Sequence, residues 1–324
     1  MAARRAAFDI GSGATKLMVA DVANSCVQKV YFQGEVPVAF AIDWKQSADN
    51  TLSETIQAKG ISVLKDFLGL CVQHGVPDAG RAAIATEVFR KASNGGAYLE
   101  RVRKECGLDV EVVSQAIEAE LGFQTAVALN GSPPERTVCW DSGGASFQIT
   151  SLPESSASDQ GLRSYVGTFG SGNTTALLVE SVLGRNFASN PSPNPVSAEQ
   201  AKALVSLLQS QLASPPAWLA GTEVVAIGGI NCMFKVTSEV LGRTRYTLAD
   251  VRSALQSIVG LSDEDLAQMA CCKGELREPP GLIVPKVCLL LAVMEHCGMA
   301  EVSFCPAVGS CPGVLIDDKR YMTS

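Results

Sequence analysis

Two short runs of the sequence, one near its start and one before its midpoint, combine an aspartate with glycines and a serine. The runs are Asp9-Ile10-Gly11-Ser12-Gly13 and Asp141-Ser142-Gly143-Gly144-Ala145-Ser146. Glycines let a hairpin turn tightly and let backbone N–H groups approach a phosphate without a Cβ in the way. An aspartate beside such a turn can hold Mg²⁺, and a serine hydroxyl can donate to a phosphoryl oxygen. Either run alone is typical of an ordinary hairpin, but their repetition favours a site for phosphate and Mg²⁺.

A third glycine element, Gly228-Gly229, follows an apolar run at residues 224–227. Its structural interpretation is a turn from a strand into a helix. Its functional interpretation is a backbone without Cβ atoms, past which a nucleoside or a phosphate chain can run closely. The sequence leaves both interpretations open.

The elements around the two aspartates follow one plan in each half of the chain. An apolar run precedes each aspartate, at residues 6–10 and 137–141, and a second one follows each turn, at residues 16–22 and 146–150. Strand-like and helix-like segments then alternate. This pattern predicts an α/β fold made of duplicated domains that face each other across a cleft.

The composition changes to glycine, serine and proline around residues 130–136, which predicts a domain boundary there. We therefore expect domain I at residues 1–131 and domain II at residues 132–324, and the packing of the last helix on domain I is left open. Asn94 and Ser114 each precede a helical segment as candidate N-caps. Ser197 and Gln200 have the spacing of a capping box.

The composition narrows the class of protein. Of the 324 residues, 47% are hydrophobic and 18% charged, which is typical of a globular chain. The net charge of −7 argues against binding to nucleic acid or to anionic membranes. The apolar run at residues 284–294 is too short to span a bilayer and predicts a buried helix. No secretory leader is evident, and the 11 cysteines lack a C-x-x-C pair, so we expect reduced thiols and a cytoplasmic location.

Several motifs, in this order, resemble the exopolyphosphatase/guanosine pentaphosphatase (Ppx/GppA) phosphatase family of the actin-like ATPase superfamily. They are AFDIGS at residues 7–12, AIATEVFR at 83–90, VEVVS at 110–114 with Glu118 and Ala119, WDSGG at 140–144, residues 167–173, and AIGG at 226–229. The resemblance covers essentially the whole chain. It implies the short form of the family, with two actin-like (ribonuclease H-like) domains and no further helical domains.

The resemblance also implies an activity, namely removal of the terminal phosphate from linear polyphosphate or from a guanosine penta- or tetraphosphate, with Mg²⁺. Glu118 matches the family's catalytic glutamate, which orients or deprotonates the attacking water, and Arg90 matches a phosphate-binding arginine. Without the resemblance, Glu118 would be interpreted as a solvated helix carboxylate, and Arg90 would be equally consistent with a surface arginine at a helix start. The implied phosphate-binding residues are Gly11, Ser12, Gly13, Lys16, Arg90, Gly143, Gly144, Ala145, Ser146, Gly228 and Gly229, and the implied Mg²⁺ ligands are Asp9, Asp141 and Gln148.

The chain departs from the family pattern where the chemistry is expected. Gly13-Ala14 stands in place of Asn-Ser, Glu87 in place of a small residue, and Gln148 in place of a glutamate. Ile230 replaces a threonine, and Cys305-Pro306-Ala307 replaces a polar turn. The alternatives to a hydrolase are therefore a phosphate- or nucleotide-binding sensor with weak turnover and a kinase or ATPase of the superfamily. The partner expected in each case is a phosphate compound, and the sequence leaves a homodimer open.

Overall fold

The computed structural model describes residues 2–40, 43–44, 47–131, 133–143, 146–153, 161–229, 232–273 and 278–321. The chain forms two compact units. Unit 1 comprises Met1–Gly131 and Ala307–Ser324, and unit 2 comprises Ser132–Pro306. The C-terminal segment, which the sequence assigns to domain II, therefore groups with unit 1. The physical reason is that Cys311, Val314 and Leu315 are fully buried in an apolar cluster of unit 1.

The strands, in chain order, are β1 (Ala3–Ile10), β2 (Ala14–Ala23), β3 (Cys26–Pro37), β4 (Arg81–Ala85), β5 (Val110–Val112), β6 (Val138–Ser142), β7 (Phe147–Ser151), β8 (Arg163–Gly167), β9 (Glu223–Gly228), β10 (Arg245–Thr247) and β11 (Glu301–Pro306). The α-helices are α1 (Glu54–Gln73), α2 (Glu87–Lys91), α3 (Gly95–Cys106), α4 (Gln115–Asn130), α5 (Ser171–Leu177), α6 (Ala198–Gln211), α7 (Met233–Leu241), α8 (Leu248–Ile258), α9 (Asp263–Leu266), α10 (Ile283–Cys297) and α11 (Cys311–Ile316).

In unit 1 the described strands form one sheet in the order β3-β2-β1-β4-β5. Strands β1, β2 and β3 pair antiparallel, whereas β4 runs parallel to β1 and β5 runs parallel to β4. Strand β1 lies in the middle of the sheet, and its last five residues are buried because both faces of the sheet are covered.

In unit 2 the order is β10-β11-β9-β6-β7-β8. Strand β6 pairs antiparallel with β7 and parallel with β9, β7 pairs antiparallel with β8, and β11 runs parallel to β9. Strands β8, β7, β6, β9 and β11 thus repeat the order and directions of β3, β2, β1, β4 and β5 in unit 1. Strand β10 is added at the edge beside β11. The duplicated α/β plan predicted from the two aspartate runs is confirmed. The strand at residues 163–167 and helix α5 were not predicted from the sequence.

Helix α10 forms the centre of the unit 2 core, where it packs against α6, α7 and α8. Nearly all of its side chains are buried. Among the described residues, Pro280–Cys297 is the segment that is long and apolar enough to cross a membrane, and 72% of it is buried inside the protein. Packing in the core accounts for its apolar composition.

The predicted helix caps are confirmed in two cases and wrong in one. The Ser114 hydroxyl caps α4, and Ser197 and Gln200 form the reciprocal bonds of a capping box at α6. Asn94 precedes α3 but does not cap it. Its side chain instead exchanges two hydrogen bonds with the backbone of Leu52, at 2.8 and 2.9 Å, because this tertiary contact satisfies both ends of the amide.

The buried ion pair between Lys286 and Glu278 in unit 2 yields a stability prediction. Lys286 Nζ lies 2.5 Å from Glu278 Oε1, and the side chains are only 2% and 1% exposed. Lys286→Met should leave a buried unpaired carboxylate and lower the free energy of unfolding by about 3–5 kcal/mol. The double variant Lys286→Met/Glu278→Leu should regain most of that loss, since no unpaired charge remains.

Urea unfolding of the parent, the single variant and the double variant measures this difference. Burial already raises the pKa of Glu278. The loss in Lys286→Met should therefore shrink as the pH falls and the carboxylate takes up a proton. Equal losses in the single and double variants would contradict the prediction.

Candidate functional site

Three chemically interesting side chains of unit 1 belong to the carboxyl ends of its parallel strands. Asp9 lies near the end of β1, Arg90 lies on α2 directly after β4, and Glu118 lies in the first turn of α4 after β5. Parallel strands end at the same edge of a sheet, and ligands of open α/β sheets bind at that edge. The topology therefore brings together Asp9, Arg90 and Glu118, which are far apart in the sequence.

Asp9 is a buried carboxylate with unequal surroundings at its two oxygens; the residue is 4% exposed. Its Oδ2 accepts a hydrogen bond from the backbone N–H of Ser310 at 2.9 Å and lies 3.4 Å from Lys16 Nζ. Its Oδ1 is also buried and has no hydrogen-bond partner among the described residues. A buried charge normally has all its acceptors satisfied. The orphaned Oδ1 is therefore the atom of this side chain suited to a ligand.

The Gly309–Ser310 turn, which delivers that N–H group, was not identified from the sequence. Gly309 has a φ of +55°, and a Cβ there would lie 2.0 Å from Asp9 Oδ2 and 2.7 Å from Lys16 Cδ. Both the backbone conformation and the lack of space require glycine at this position. The only sequence signal was that the preceding residues depart from the family pattern, which gave no hint of a contact with Asp9.

The first hairpin closes through a hydrogen bond from the Gly11 N–H to the Ala14 carbonyl at 3.0 Å. Ser12 is half-buried and Gly13 is exposed, and a Cβ at Gly13 would meet nothing within 4 Å. The tip of the hairpin thus presents backbone to open space. This geometry suits the close approach of a phosphate, which stays a prediction for Gly11, Ser12 and Gly13.

Arg90 and Glu118 form an ion pair in which Arg90 Nη2 lies 3.1 Å from Glu118 Oε2. The other terminal nitrogen of Arg90 donates to the carbonyl of Val113, the residue before Ser114, which caps α4. Arg90 thereby holds the start of the helix that carries Glu118. Both side chains stay partly accessible, at 26% and 30% exposure, so the pair can reach a ligand.

Burial raises the pKa of the Glu118 carboxyl group above its ordinary value. The Arg90 guanidinium opposes this shift, and the negative charges of Asp9 and Glu87 add to it. A carboxylate with a raised pKa is a stronger base, so these surroundings favour Glu118 for accepting a proton.

Glu87 stands where the family has a small residue, and a carboxylate near bound phosphates would repel them. It pairs with Lys91 one turn further along α2, with Glu87 Oε1 2.5 Å from Lys91 Nζ. The neighbouring ammonium group offsets much of the carboxylate charge. Glu87 should therefore repel a bound phosphate less than an unpaired carboxylate would.

Unit 2 repeats the arrangement at the ends of β6, β9 and β11. In register, Asp141 stands opposite Ile227, and Gly228 stands opposite Pro306. Asp141 and the Gly228 turn therefore lie at the same edge of the sheet.

Asp141 is exposed, and its partner across the second hairpin is Gln148 on β7. Directly opposite residues of antiparallel strands share a face of the sheet. Gly143 donates its N–H to the Ser146 carbonyl at 2.9 Å, which repeats the closing bond of the first hairpin. The predicted phosphate-binding residues Gly144 and Ala145 lie outside the described residues.

The Gly228-Gly229 element forms a turn into helix α7. Gly229 accepts a backbone hydrogen bond from Cys232, the N-cap residue of α7. A Cβ at Gly228 would lie 2.8 Å from Cys232 Sγ. The structural interpretation of this element, a turn from a strand into a helix, is confirmed, because β9 ends at Gly228 and α7 begins at Met233. Its role towards a nucleoside or phosphate stays a prediction.

The oxygen donors available in each unit suit Mg²⁺. Unit 1 offers the orphaned Asp9 Oδ1, and unit 2 offers Asp141 with the amide oxygen of Gln148 on the same face. Mg²⁺ prefers oxygen ligands and often rests on one or two carboxylates plus substrate phosphates. Within the described residues, no group of three or more His, Cys, Asp or Glu side chains could hold a metal ion. Substrate phosphates would therefore have to complete the coordination.

Residues 36–163 match the model of the Ppx/GppA phosphatase family. A crystal structure of the Aquifex aeolicus member of the Ppx/GppA family has a TM-score of 0.76 at 20% identity and covers 98% of each chain. An exopolyphosphatase from Cytophaga hutchinsonii has a TM-score of 0.69 at 18% identity, over 99% of this chain and 100% of that one.

Nucleoside triphosphate hydrolases from Neospora caninum have a similar fold, with a TM-score of 0.63 at 11% identity over 100% of this chain and 94% of that one. The resemblance to the Ppx/GppA phosphatases that the motifs indicate is confirmed, and the fold is the two-domain actin-like α/β fold of these structures. At such identities the solved structures establish the fold alone.

The Arg90–Glu118 ion pair yields a prediction about protonation. Arg90→Gln should raise the pKa of Glu118 further, because the guanidinium is the group that lowers it. Lys91→Gln is the matched control, since Lys91 is a cation on the same helix that pairs with Glu87 instead. Carboxyl ¹³C NMR titration measures both variants. A larger shift in Lys91→Gln than in Arg90→Gln would show that Arg90 does not set the Glu118 pKa.

Proposed function

We propose, from the resemblance to the Ppx/GppA phosphatases, that this protein is a phosphohydrolase. It removes the terminal phosphate from linear polyphosphate or from a guanosine penta- or tetraphosphate by in-line attack of water. The observation that carries the proposal is the Arg90–Glu118 pair at the strand ends beside Asp9. It combines a phosphate-binding type of cation with a carboxylate of raised pKa.

The proposed reaction requires a general base, positive charge and hydrogen-bond donors from the protein. Glu118 accepts the proton of the attacking water and orients it, for which a carboxylate of raised pKa is suited. Arg90 and Lys16 supply positive charge for phosphate oxygens, and the fork of Arg90 matches two of them. Ser12 and Gly13 at the hairpin tip supply backbone N–H groups, whereas the Gly11 N–H closes the turn. Because the base must be deprotonated, turnover should fall as the pH drops through the raised pKa of Glu118.

Mg²⁺ would be held by substrate phosphates together with Asp9 in unit 1, or with Asp141 and Gln148 in unit 2. It would neutralise charge on the reacting phosphate. A phosphoryl transfer of this kind needs positioning and charge neutralisation more than covalent chemistry by the protein. The residue types fit those two needs.

The alternative is a phosphate- or nucleotide-binding sensor of the same fold with weak turnover. Gln148 favours it, because an amide faces Asp141 where the family has a carboxylate, which leaves the pair with a single negative charge. Phosphate release separates the two functions. An assay with Mg²⁺ against long-chain polyphosphate, tripolyphosphate, ATP and guanosine pentaphosphate also identifies the substrate class.

Glu118→Gln tests the assignment of the base. The variant keeps the size of the side chain and can still contact Arg90, but it cannot accept a proton. Phosphate release should fall by about 10²–10⁴-fold while the dissociation constant of the substrate changes little. Stopped-time phosphate release and calorimetric binding measure the two effects. A variant as fast as the parent would exclude Glu118 as the base.

Gln148→Glu tests the Mg²⁺ site. A second carboxylate opposite Asp141 should lower the Mg²⁺ concentration required for half-maximal phosphate release, since Mg²⁺ binds charged oxygens more strongly. Glu87→Ser is the comparison, because it removes a carboxylate that Lys91 already offsets. If Glu87 instead supplies the charge for Mg²⁺, Gln148→Glu weakens polyanion binding and Glu87→Ser raises the Mg²⁺ requirement. An unchanged Mg²⁺ titration in Gln148→Glu would remove that residue from the site.

A further inference from the structure

The C-terminal segment of the chain runs along the strand that carries Asp9. The Tyr321 hydroxyl and the Cys311 thiol donate to carbonyls of β1, and the Leu315 carbonyl accepts from Arg5 of that strand. At the end of the same strand, the Ser310 N–H binds Asp9. Four successive contacts therefore tie this segment to β1 from its middle to its functional end.

The same segment also holds the helix that carries Glu118. Gly313 donates its N–H to Thr125 on α4 at 3.0 Å, and a Cβ at Gly313 would lie 2.2 Å from the Leu121 carbonyl. Helix α11 thus packs backbone to backbone against α4, while the N–H group of Ser310, its N-cap residue, binds Asp9.

We propose that residues 307–316 are a positioning element, in which the Gly309–Ser310 turn and Lys16 fix Asp9 by its Oδ2 atom so that Oδ1 is the ligand atom. The inference rests on the proposed function in one respect, because it takes the ligand to be a divalent cation with a phosphate chain. Ser310 acts through its backbone N–H group, and Gly309 acts by letting that group come close.

Electrostatics explains why the two oxygens of Asp9 have different roles. An isolated buried carboxylate is costly, so one oxygen must be satisfied inside the protein. Oδ2 has both a hydrogen-bond donor and a cation, whereas Oδ1 has no partner among the described residues. A divalent ion approaching Oδ1 meets a carboxylate that is already held in one orientation, which reduces the entropy lost on binding. Without the turn, Asp9 could rotate and offer either oxygen.

Two pairs of variants isolate this positioning. Ser310→Pro removes the N–H donor, and the φ of −83° at Ser310 lies close to the range that proline adopts. Ser310→Ala is its partner and keeps the N–H. Gly309→Ala forces a Cβ against Asp9, and Gly107→Ala is its control, with a similar φ of +62° but nothing within 4 Å of its Cβ. Both members of the glycine pair carry the same type of backbone strain.

The readout is the dissociation constant of Mn²⁺ in the presence of tripolyphosphate, measured on the full chain by electron paramagnetic resonance. We expect Ser310→Pro to bind about tenfold or more weakly than Ser310→Ala, since a hydrogen bond to a charged group is lost. Gly309→Ala should bind weaker than Gly107→Ala by a similar factor. A purely structural role would lower the melting temperature and the active fraction but leave the dissociation constant of the folded molecules unchanged.

Equal constants within each pair would overturn the proposal, as would a parent protein that does not bind Mn²⁺ with tripolyphosphate. If Ser310→Pro does not fold, the glycine pair decides the outcome. Absence of phosphate release by the parent would refute the proposed function but not this inference, because the comparison depends on binding alone.

Discussion

The cost of burying the Asp9 carboxylate is the constraint on which the rest of unit 1 depends. The side chain is 4% exposed, and a charge at such a depth is stable only with compensating partners. Lys16 comes from the neighbouring strand and the Ser310 N–H from the other end of the chain. The hairpin, the parallel strands and the C-terminal segment all have to meet at this carboxylate, so its compensation links local and distant parts of the fold.

The two sheets contain the same type of hairpin, but the residue opposite the aspartate differs. In each hairpin a glycine N–H closes the turn, and the aspartate faces the residue at the matching register position. That residue is Lys16 opposite Asp9 and Gln148 opposite Asp141. The first pair is neutral and the second carries a negative charge. The two hairpins therefore differ in charge, although their backbones are alike.

The local features were predictable because they depend on residues close in sequence. The hairpins follow from apolar runs that flank glycine turns, and the caps at Ser114 and Ser197 follow from side chains that reach N–H groups within the same turn. Asn94 shows the limit of this approach, since its amide had two ways to be satisfied and bonded Leu52 rather than its own helix. Residue type and spacing do not rank a local bond against a distant one.

The sequence by itself determined the α/β class, the duplicated aspartate hairpins and the resemblance that singles out Glu118 and Arg90. These depend on periodicity and on short motifs, which can be recognised without knowledge of the tertiary contacts. Only the tertiary structure decided that Arg90 pairs with Glu118, that residues 307–321 join unit 1, and that Gly309 lies against Asp9. The reason is physical: burial and charge compensation are set by groups that meet in space, and here they come from opposite ends of the chain.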